Sequence, residues 1–114
     1  MTSQERERER LIYIRESITR IEQYTQGGRE TFLTEPMVED AVLRRLETLA
    51  DATHRLSPAT KARHPEIPWQ QVYGFRNIAA HAYVGLDLRR VWEIVESYLP
   101  PLKDAVDAEL GRAD

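Results

Sequence analysis

Apolar residues recur every three to four positions along most of the chain, and this spacing is the feature that most restricts its fold. Side chains repeated at this interval share one face of an α-helix, whereas a half-buried strand needs alternation at every second residue. No such alternation is present, and five glycines and six prolines punctuate the chain only sparsely. The sequence therefore predicts an all-α fold, a bundle of four main helices running up and down. The four predicted apolar stripes are Leu11, Ile14, Ile18 and Ile21; Val38, Val42, Leu46 and Leu49; Trp69, Val72, Phe75 and Ala79; and Leu88, Val91, Val95, Leu99, Leu102, Val106 and Leu110.

Local signals predict where the first two helices begin and end. Thr2-x-x-Glu5 has the spacing of a capping box, which indicates a helix start. Gly27–Gly28 is typical of a helix end with a left-handed cap. Thr34 with Pro36 two residues on indicates the start of the second helix.

The last two helices have comparable signals. Pro68 fits the first turn of the third helix, and Gly85 is expected to end it. Asp87 is expected to cap the fourth helix, with Leu86 and Val91 placed as a hydrophobic staple.

Charge and proline patterns predict three further features. Residues 5–10 alternate in sign, and their opposite charges at i,i+3 favour a solvated helix face. The segment Leu56–Pro68 contains three prolines and is expected to be a connector with one short turn of helix. Pro100–Pro101 interrupts the fourth stripe and should kink or break that helix. The predicted i,i+3 pairs are Glu5 with Arg8, Arg6 with Glu9, and Glu7 with Arg10.

Composition limits the function classes. A chain of 114 residues supports one modest core, so we expect a single domain over residues 1–114. The absence of cysteine excludes disulfides and thiol catalysis. No run of about 18 apolar residues exists, and the charged start lacks the apolar region of a secretory signal, so we expect a cytoplasmic protein without a membrane partner. A net charge of −3 means that any contact with nucleic acid must be local.

The histidines and tryptophans give no sign of a metal site or a base-stacking surface. His54, His64 and His81 are separated by intervals that fit no compact metal motif. No glycine-rich phosphate loop or nucleophile elbow is present, so the sequence predicts no cofactor and no metal ion. His54 and His64 are expected to be exposed loop or helix-end residues, and Trp69 and Trp92 to be packing anchors.

One segment, residues 73–83, combines chemically capable groups on a short helix. Arg76 and Tyr83 are seven residues apart and lie nearly on one line of the helix, at about 100° per residue. Asn77 and His81 form a second line, about 120° or more from the first. The residues between them include three alanines, which allow a ligand or another backbone to approach.

Two interpretations of this segment remain open. In the structural one, Arg76 and Asn77 bond a neighbouring loop, His81 complements the helix C-terminus, and Tyr83 is an amphipathic edge residue. In the functional one, the guanidinium fork of Arg76 binds phosphate and stabilises charge developing on phosphorus, while His81 moves protons. These roles fit metal-independent phosphodiester cleavage by the RNA's own 2′-hydroxyl, with Asn77 orienting His81 or a phosphate oxygen. One helix cannot easily aim all four groups at one point, whereas a symmetric dimer would form a composite cleft.

The segment resembles the signature of the HEPN superfamily, and within it that of the HepT toxins. The HepT pattern is Arg-x4-His-x-Tyr, and residues 76–83 match it fully. Further likeness is found in Pro65–Trp69 before the motif, in the Asp87 turn after it, and in Val91–Trp92 followed by Leu99–Pro100. The resemblance therefore covers essentially the whole chain.

The resemblance implies a HEPN-type bundle of four to five helices that forms a homodimer. It implies that Arg76 and His81 are the catalytic residues of a metal-independent ribonuclease toxin, with Asn77 in support and RNA, tRNA among the candidates, as substrate. HepT toxins are paired with MntA antitoxins, nucleotidyltransferases that transfer AMP to the motif tyrosine, which is Tyr83 here. The alternatives are a non-catalytic HEPN module that binds nucleotide or docks a nucleotidyltransferase, and a purely structural helical dimer.

Overall fold

The computed structural model describes residues 1–82 and 87–112, and every regular element in this part of the chain is helical. The all-α prediction is confirmed, and the longest helical stretches match the four predicted helices. No helix in the described ranges is both long and apolar enough to cross a membrane. The elements are α1 (Ser3–Tyr24), α2 (Gly28–Thr34), α3 (Pro36–His54), α4 (Pro58–Ala62), α5 (Trp69–Ala82), α6 (Leu88–Glu93), a π-helical segment (Ile94–Tyr98) and α7 (Leu99–Leu110).

Helix α3 lies at the centre of the bundle. It packs against α5 on one side and α1 on the other, while α7 packs on α1 and α2 contacts both α3 and α6. The predicted apolar stripes face this core, because burying one face of each amphipathic helix is what stabilises a bundle. The stripe residues that are buried are Leu11, Ile14, Ile18, Ile21, Val42, Leu46, Leu49, Val72, Phe75, Ala79, Val91, Leu99, Leu102 and Val106.

The start of α1 confirms one prediction and overturns another. Thr2 caps the helix, since its hydroxyl oxygen accepts a hydrogen bond from the Glu5 N–H at 3.1 Å. The predicted i,i+3 ion pairs are absent from the described residues. Arg8 instead donates to the main-chain carbonyl of Leu110 on α7. Exposed pairs on one helix contribute only a few tenths of a kcal/mol, so contacts with other elements replace them easily.

The connector, Leu56–Pro68, contains the predicted turn of helix, α4, and is hydrogen-bonded to α1. Ser57 caps α4 by accepting a hydrogen bond from the Thr60 N–H at 3.2 Å. The Glu7 carboxylate accepts from the Ser57 N–H at 3.1 Å, the Ser57 hydroxyl at 2.9 Å and the Thr60 hydroxyl at 2.6 Å. Glu7 therefore holds the connector on the bundle instead of belonging to a solvated face.

A short helix, α2, lies where the sequence indicated a loop. The first helix ends at Tyr24, before the predicted Gly27–Gly28, and Gly28 begins α2 with a φ of +86°. A helix of seven residues is too short to be stable alone. Phe32 supplies the stability, because its ring is fully buried and packs against Trp92 with the ring centroids 5.7 Å apart.

Prolines lie in the first turn of three helices, α3, α4 and α7. Pro36 begins α3, whereas Thr34 ends α2 instead of capping the helix that follows. Pro100–Pro101 occupies the first turn of α7, and the regular α-helix is interrupted just before it, as predicted. There the Leu99 N–H bonds the Ile94 carbonyl, five residues back. A proline ring clashes with the carbonyl four residues before it, and the wider π-helical turn accommodates that clash.

The boundary between the third and fourth predicted helices, which lies between α5 and α6, is described only in part. The proposed helix end at Gly85 and the staple residue Leu86 lie outside the described residues. Asp87 stands at the cap position of α6, but its side chain makes no capping hydrogen bond. Its backbone, at φ −131° and ψ 24°, departs from the extended conformation that aims a capping side chain at the first free N–H groups.

Candidate active site and the adjoining groove

The fifth helix, α5, presents the motif residues to solvent. Its apolar stripe is buried, and Arg76, Asn77 and His81 on the other faces are exposed. The helix is anchored at its start by Trp69, whose indole N–H donates to the main-chain carbonyls of Lys61 and His64 at 3.1 Å each. The motif residues therefore project from a fixed helix.

The ring of His81 is held by the main chain of its own helix. Its Nδ1 lies 2.8 Å from the carbonyl oxygen of Asn77. A carbonyl oxygen only accepts hydrogen bonds, so Nδ1 must carry the hydrogen and donate it. The neutral ring then has its lone pair on Nε2, the nitrogen that can take up or release a proton at the surface.

The Asn77 side chain is left free by this arrangement. The main-chain carbonyl of Asn77 accepts the hydrogen bond from His81. No hydrogen bond to the side-chain amide of Asn77 is found within the described ranges. The amide is exposed one residue beyond Arg76. It can therefore meet a bound group directly.

Arg76 and His81 do not converge within one copy of the chain. Five residues of α-helix separate them, which corresponds to about 140° around the axis and about 7.5 Å along it. Arg76 lines an open groove of about 630 Å³, and His81 is not among the residues that line it. The two side chains therefore lie on different faces of α5.

The groove is formed by three helices. Its floor is the outer face of α3, represented by Arg44 and Thr48, together with Arg55 directly after this helix, and Arg10 of α1 and Arg76 of α5 lie along its sides. Guanidinium groups therefore surround it, although the whole chain carries a net charge of −3.

The other histidines have structural partners. The ring of His54, at the end of α3, stacks on Tyr73 with centroids 3.9 Å apart and an angle of 17° between planes. The prediction that His64 is exposed is wrong, because only 13% of its side chain is accessible. The connector folds over α7, and His64 Nε2 lies 2.7 Å from a carboxylate oxygen of Glu109.

Glu109 sits at the centre of a strong ion-pair cluster. Arg63 donates to both of its oxygens, at 2.6 and 3.1 Å, and His64 approaches from another side. Hydrogen bonds from Arg63, with a smaller contribution from His64, lower the pKa of Glu109 from 4.5 to about 2 against the raising effect of burial. The cluster ties the connector to the last helix. No group of three or more histidine, aspartate or glutamate side chains is placed to hold a metal ion in residues 1–82 and 87–112.

The sequence interpretation identified the motif and missed the groove. Tyr83 lies outside the described residues, so only Arg76, Asn77 and His81 of the motif have described positions. A signal for the groove was present, because Arg44 and Arg55 are eleven residues apart and three turns of helix bring them to within about 20° of each other.

The fold and the exposed Arg-x4-His segment together define an α-helical protein of the HEPN class. A family model described as Ribonuclease HepT-like matches residues 14–109, and the chain belongs to this family of the HEPN superfamily.

Curated relatives carry related names. "Probable ribonuclease HepT" of Thermococcus cleftensis is 37% identical over 91 residues, which is 79% of this chain and 83% of that protein. A protein of Methanocaldococcus jannaschii named as a "Putative RNase" is 31% identical over 98 residues, 85% of this chain and 90% of the relative.

A second protein of Methanocaldococcus jannaschii is named "Gamma-glutamylcyclotransferase and putative RNase". It is 36% identical over 97 residues, which is 84% of this chain. The match covers 44% of that relative, so the chain spans less than half of its length. No solved structure matches the chain.

Proposed function

We propose that this protein is a metal-independent endoribonuclease of the HEPN type, with Arg76 and His81 as its catalytic residues. The observation that carries the proposal is the bond from His81 Nδ1 to the Asn77 carbonyl, which leaves Nε2 free at the surface five residues from an exposed arginine. The ribonuclease names of the relatives support the same reaction class.

The proposed reaction uses the RNA's own 2′-hydroxyl. His81 Nε2 takes its proton, the 2′-oxygen forms a bond to phosphorus, and the bond from phosphorus to the 5′-oxygen breaks. The 5′-oxygen leaves with a proton from an imidazolium, which gives a 2′,3′-cyclic phosphate and a 5′-hydroxyl. Arg76 stabilises the charge that develops on the phosphate oxygens, and the Asn77 amide binds one of those oxygens.

A homodimer would complete this site. Arg76 and His81 of one copy point about 140° apart, so a second copy of α5 is needed to bring arginine and histidine to one phosphate. An isologous pair places two copies of the motif across a shared cleft. One His81 would then act as base and the other as acid.

The proposed regulation is that of a toxin–antitoxin pair in the cytoplasm. A nucleotidyltransferase of the MntA kind would transfer AMP to Tyr83, two residues after His81. The added nucleotide would place negative charge and bulk where an RNA phosphate must bind, and it would engage Arg76. Modification would therefore block cleavage without unfolding the protein.

Two alanine substitutions test the catalytic proposal. We expect Arg76→Ala and His81→Ala to abolish RNA cleavage and growth inhibition and to leave the helical CD spectrum unchanged. Arg29→Ala is a matched control, since the Arg29 side chain is exposed on α2 and does not line the groove. Full activity in either motif variant would overturn the proposal.

The second candidate is a non-catalytic HEPN module that binds nucleotide or docks a nucleotidyltransferase. It is favoured by the exposed guanidinium of Arg76, which has no hydrogen bond or ion pair within the described ranges and can bind phosphate without chemistry. Freshly purified, unmodified protein that binds such a partner tightly and cleaves no RNA would establish this candidate instead.

Intact-mass measurement tests the modification. Protein co-expressed with its cognate nucleotidyltransferase should gain one or more AMP units, and Tyr83→Phe should abolish the gain. Tyr13→Phe is the control, because Tyr13 is an exposed tyrosine on another helix. An unmodified mass beside an active nucleotidyltransferase would exclude the switch.

A further inference from the structure

We propose that the groove beside Arg76 binds the backbone phosphates of a single RNA strand on one side of the cleaved bond. This inference rests on the proposed function and adds to it a binding site for the substrate outside the motif. The groove lies on the outer face of α3, between α1 and α5, and Arg76 belongs to both the motif and the groove. A strand bound there leads directly to the catalytic helix.

The arginines of the groove are available for a ligand. Arg10, Arg44 and Arg76 make no side-chain hydrogen bond or ion pair within residues 1–82 and 87–112, and Arg55 pairs with Asp51 at 3.3 Å. Arg15, by contrast, is engaged by Asp107, in a bond of 2.6 Å. An unpaired guanidinium presents a planar fork that matches two phosphate oxygens.

The positions of these arginines fit an extended chain of phosphates. Arg44 on α3 and Arg55, the residue that directly follows α3, continue one helical line and are about 16 Å apart along the helix axis. Arg10 and Arg76 lie on the two sides of the groove. The charges therefore border a track that is long enough for several nucleotides, not a pocket for one ion.

The charge balance of the groove favours an anion. Its lining contains four arginines and two carboxylates, those of Glu47 and Asp51. Asp51 is paired with Arg55, so Glu47 is the carboxylate that opposes an incoming phosphate. The lining is thus net positive on a chain that is net negative.

The floor of the groove leaves room for a strand. Thr48 and Ala52 are small side chains between Arg44 and Arg55, and the groove is open to solvent with a volume of about 630 Å³. Arginines that neutralise backbone phosphates release the counterions condensed on the strand, which makes such binding strongly dependent on salt.

The test measures binding separately from cleavage. Fluorescence anisotropy follows a short fluorescein-labelled oligouridylate bound to His81→Ala protein, between about 50 and 200 mM KCl. The test variant adds Arg10→Gln and Arg44→Gln. The control adds Arg29→Gln and Arg112→Gln, which remove the same charge from exposed positions outside the groove.

The expected effect follows from counterion release. Each phosphate contact to a single strand contributes about 0.7 to the slope of log affinity against log salt, or about fivefold in affinity at 0.1 M salt. Loss of Arg10 and Arg44 should therefore weaken binding about 25-fold and lower the slope by about 1.4. The control should stay within about twofold of the parent.

A change at Glu47 tests the same surface in the opposite direction. Glu47→Gln should tighten oligouridylate binding several-fold, because it removes from the groove a carboxylate that has no ion pair within the described residues. Glu30→Gln is the matched control, since Glu30 is exposed on α2, outside the groove. Equal affinities for the two variants would contradict the inference.

The outcomes also separate this inference from the proposed function. If the test pair binds like the control pair while the wild-type protein cleaves RNA, the groove inference fails and the proposed function stands. If the test pair loses affinity and the wild-type protein cleaves no RNA, the groove stands and the proposed chemistry fails. Loss of affinity together with a changed oligomeric state by light scattering would overturn the inference, because the arginines would then be holding a protein interface.

Discussion

Glu109 is the residue whose replacement by glutamine most directly tests the ion-pair cluster that ties the connector to the last helix. Its carboxylate accepts two hydrogen bonds from Arg63 and lies 2.7 Å from His64, and only 5% of its side chain is accessible. Glutamine has nearly the same shape but no charge. The substitution therefore removes the ionic part of the cluster and leaves the packing in place.

The size of the effect follows from the pKa of Glu109. A fall from 4.5 to about 2 corresponds, at about 1.36 kcal/mol per pKa unit, to at most ~3 kcal/mol of stability. The Arg63 side chain is 39% accessible, and solvent screens part of this attraction. We therefore expect Glu109→Gln to lower the free energy of unfolding by about 2 kcal/mol at pH 7 and Tm by roughly 8 °C.

The effect has a defined pH window. The pKa of Glu109 is lower in the folded protein than in the unfolded chain, so the unfolded state binds more protons between the two values. The stabilisation is complete above about pH 4.5 and is lost as the pH falls towards 2. Wild-type and variant stabilities should therefore converge over this range.

Denaturant unfolding followed by CD, at pH 7 and in steps down to pH 3, measures both effects. Glu22→Gln is the control, since its pair with Lys103, at 3.1 Å, is exposed and should be worth less than about 1 kcal/mol. Equal stability of wild type and Glu109→Gln at pH 7 would refute the reasoning. So would a difference that stays constant from pH 7 to pH 3.

Further predictions concern packing and backbone conformation, and thermal unfolding checks each of them. Phe32→Ala should lower the free energy of unfolding by about 3 to 5 kcal/mol, because the ring is fully buried and is the main support of α2. A loss below about 1 kcal/mol would show that α2 does not depend on this ring. Gly28→Ala should cost about 1 to 2 kcal/mol, since its φ of +86° is unfavourable for alanine. Gly74→Ala should instead stabilise by about 0.5 to 1 kcal/mol, because Gly74 lies within α5 and an added Cβ meets no atom within 4 Å; the same sign at both glycines would contradict the argument. Ser17→Ala should stabilise by about 1 kcal/mol, since the Ser17 hydroxyl is buried and finds no partner within the described ranges.

The longest helices could be predicted because their signals are local. The stripe from Leu11 to Ile21 and the Thr2 cap need only the spacing of residues along one helix. The short helix α2 could not be predicted in this way, because Phe32 stabilises it through contacts with other elements. The same limit applies to Glu7 and Ser57, which are fifty residues apart and meet only after the bundle has formed.

The candidate site likewise has one part that could be predicted from local sequence and one part that could not. Arg76 and His81 belong to one continuous motif, so the sequence alone indicates them. The groove needs Arg10 of one helix beside Arg44 of another, and this neighbourhood exists only when α1 packs on α3. Net charge is a sum over the whole chain and cannot show that a few arginines lie together.

The bond between His81 and the Asn77 carbonyl has a consequence for how sequences of this kind can vary. Every residue type has a main-chain carbonyl, so changes of side chain at position 77 leave the support of the imidazole in place. What the ring requires is one intact turn of helix from residue 77 to residue 81. The choice of tautomer thus depends on backbone conformation, and unwinding the end of α5 would remove the hydrogen bond that holds the imidazole of His81 while leaving its side chain unchanged.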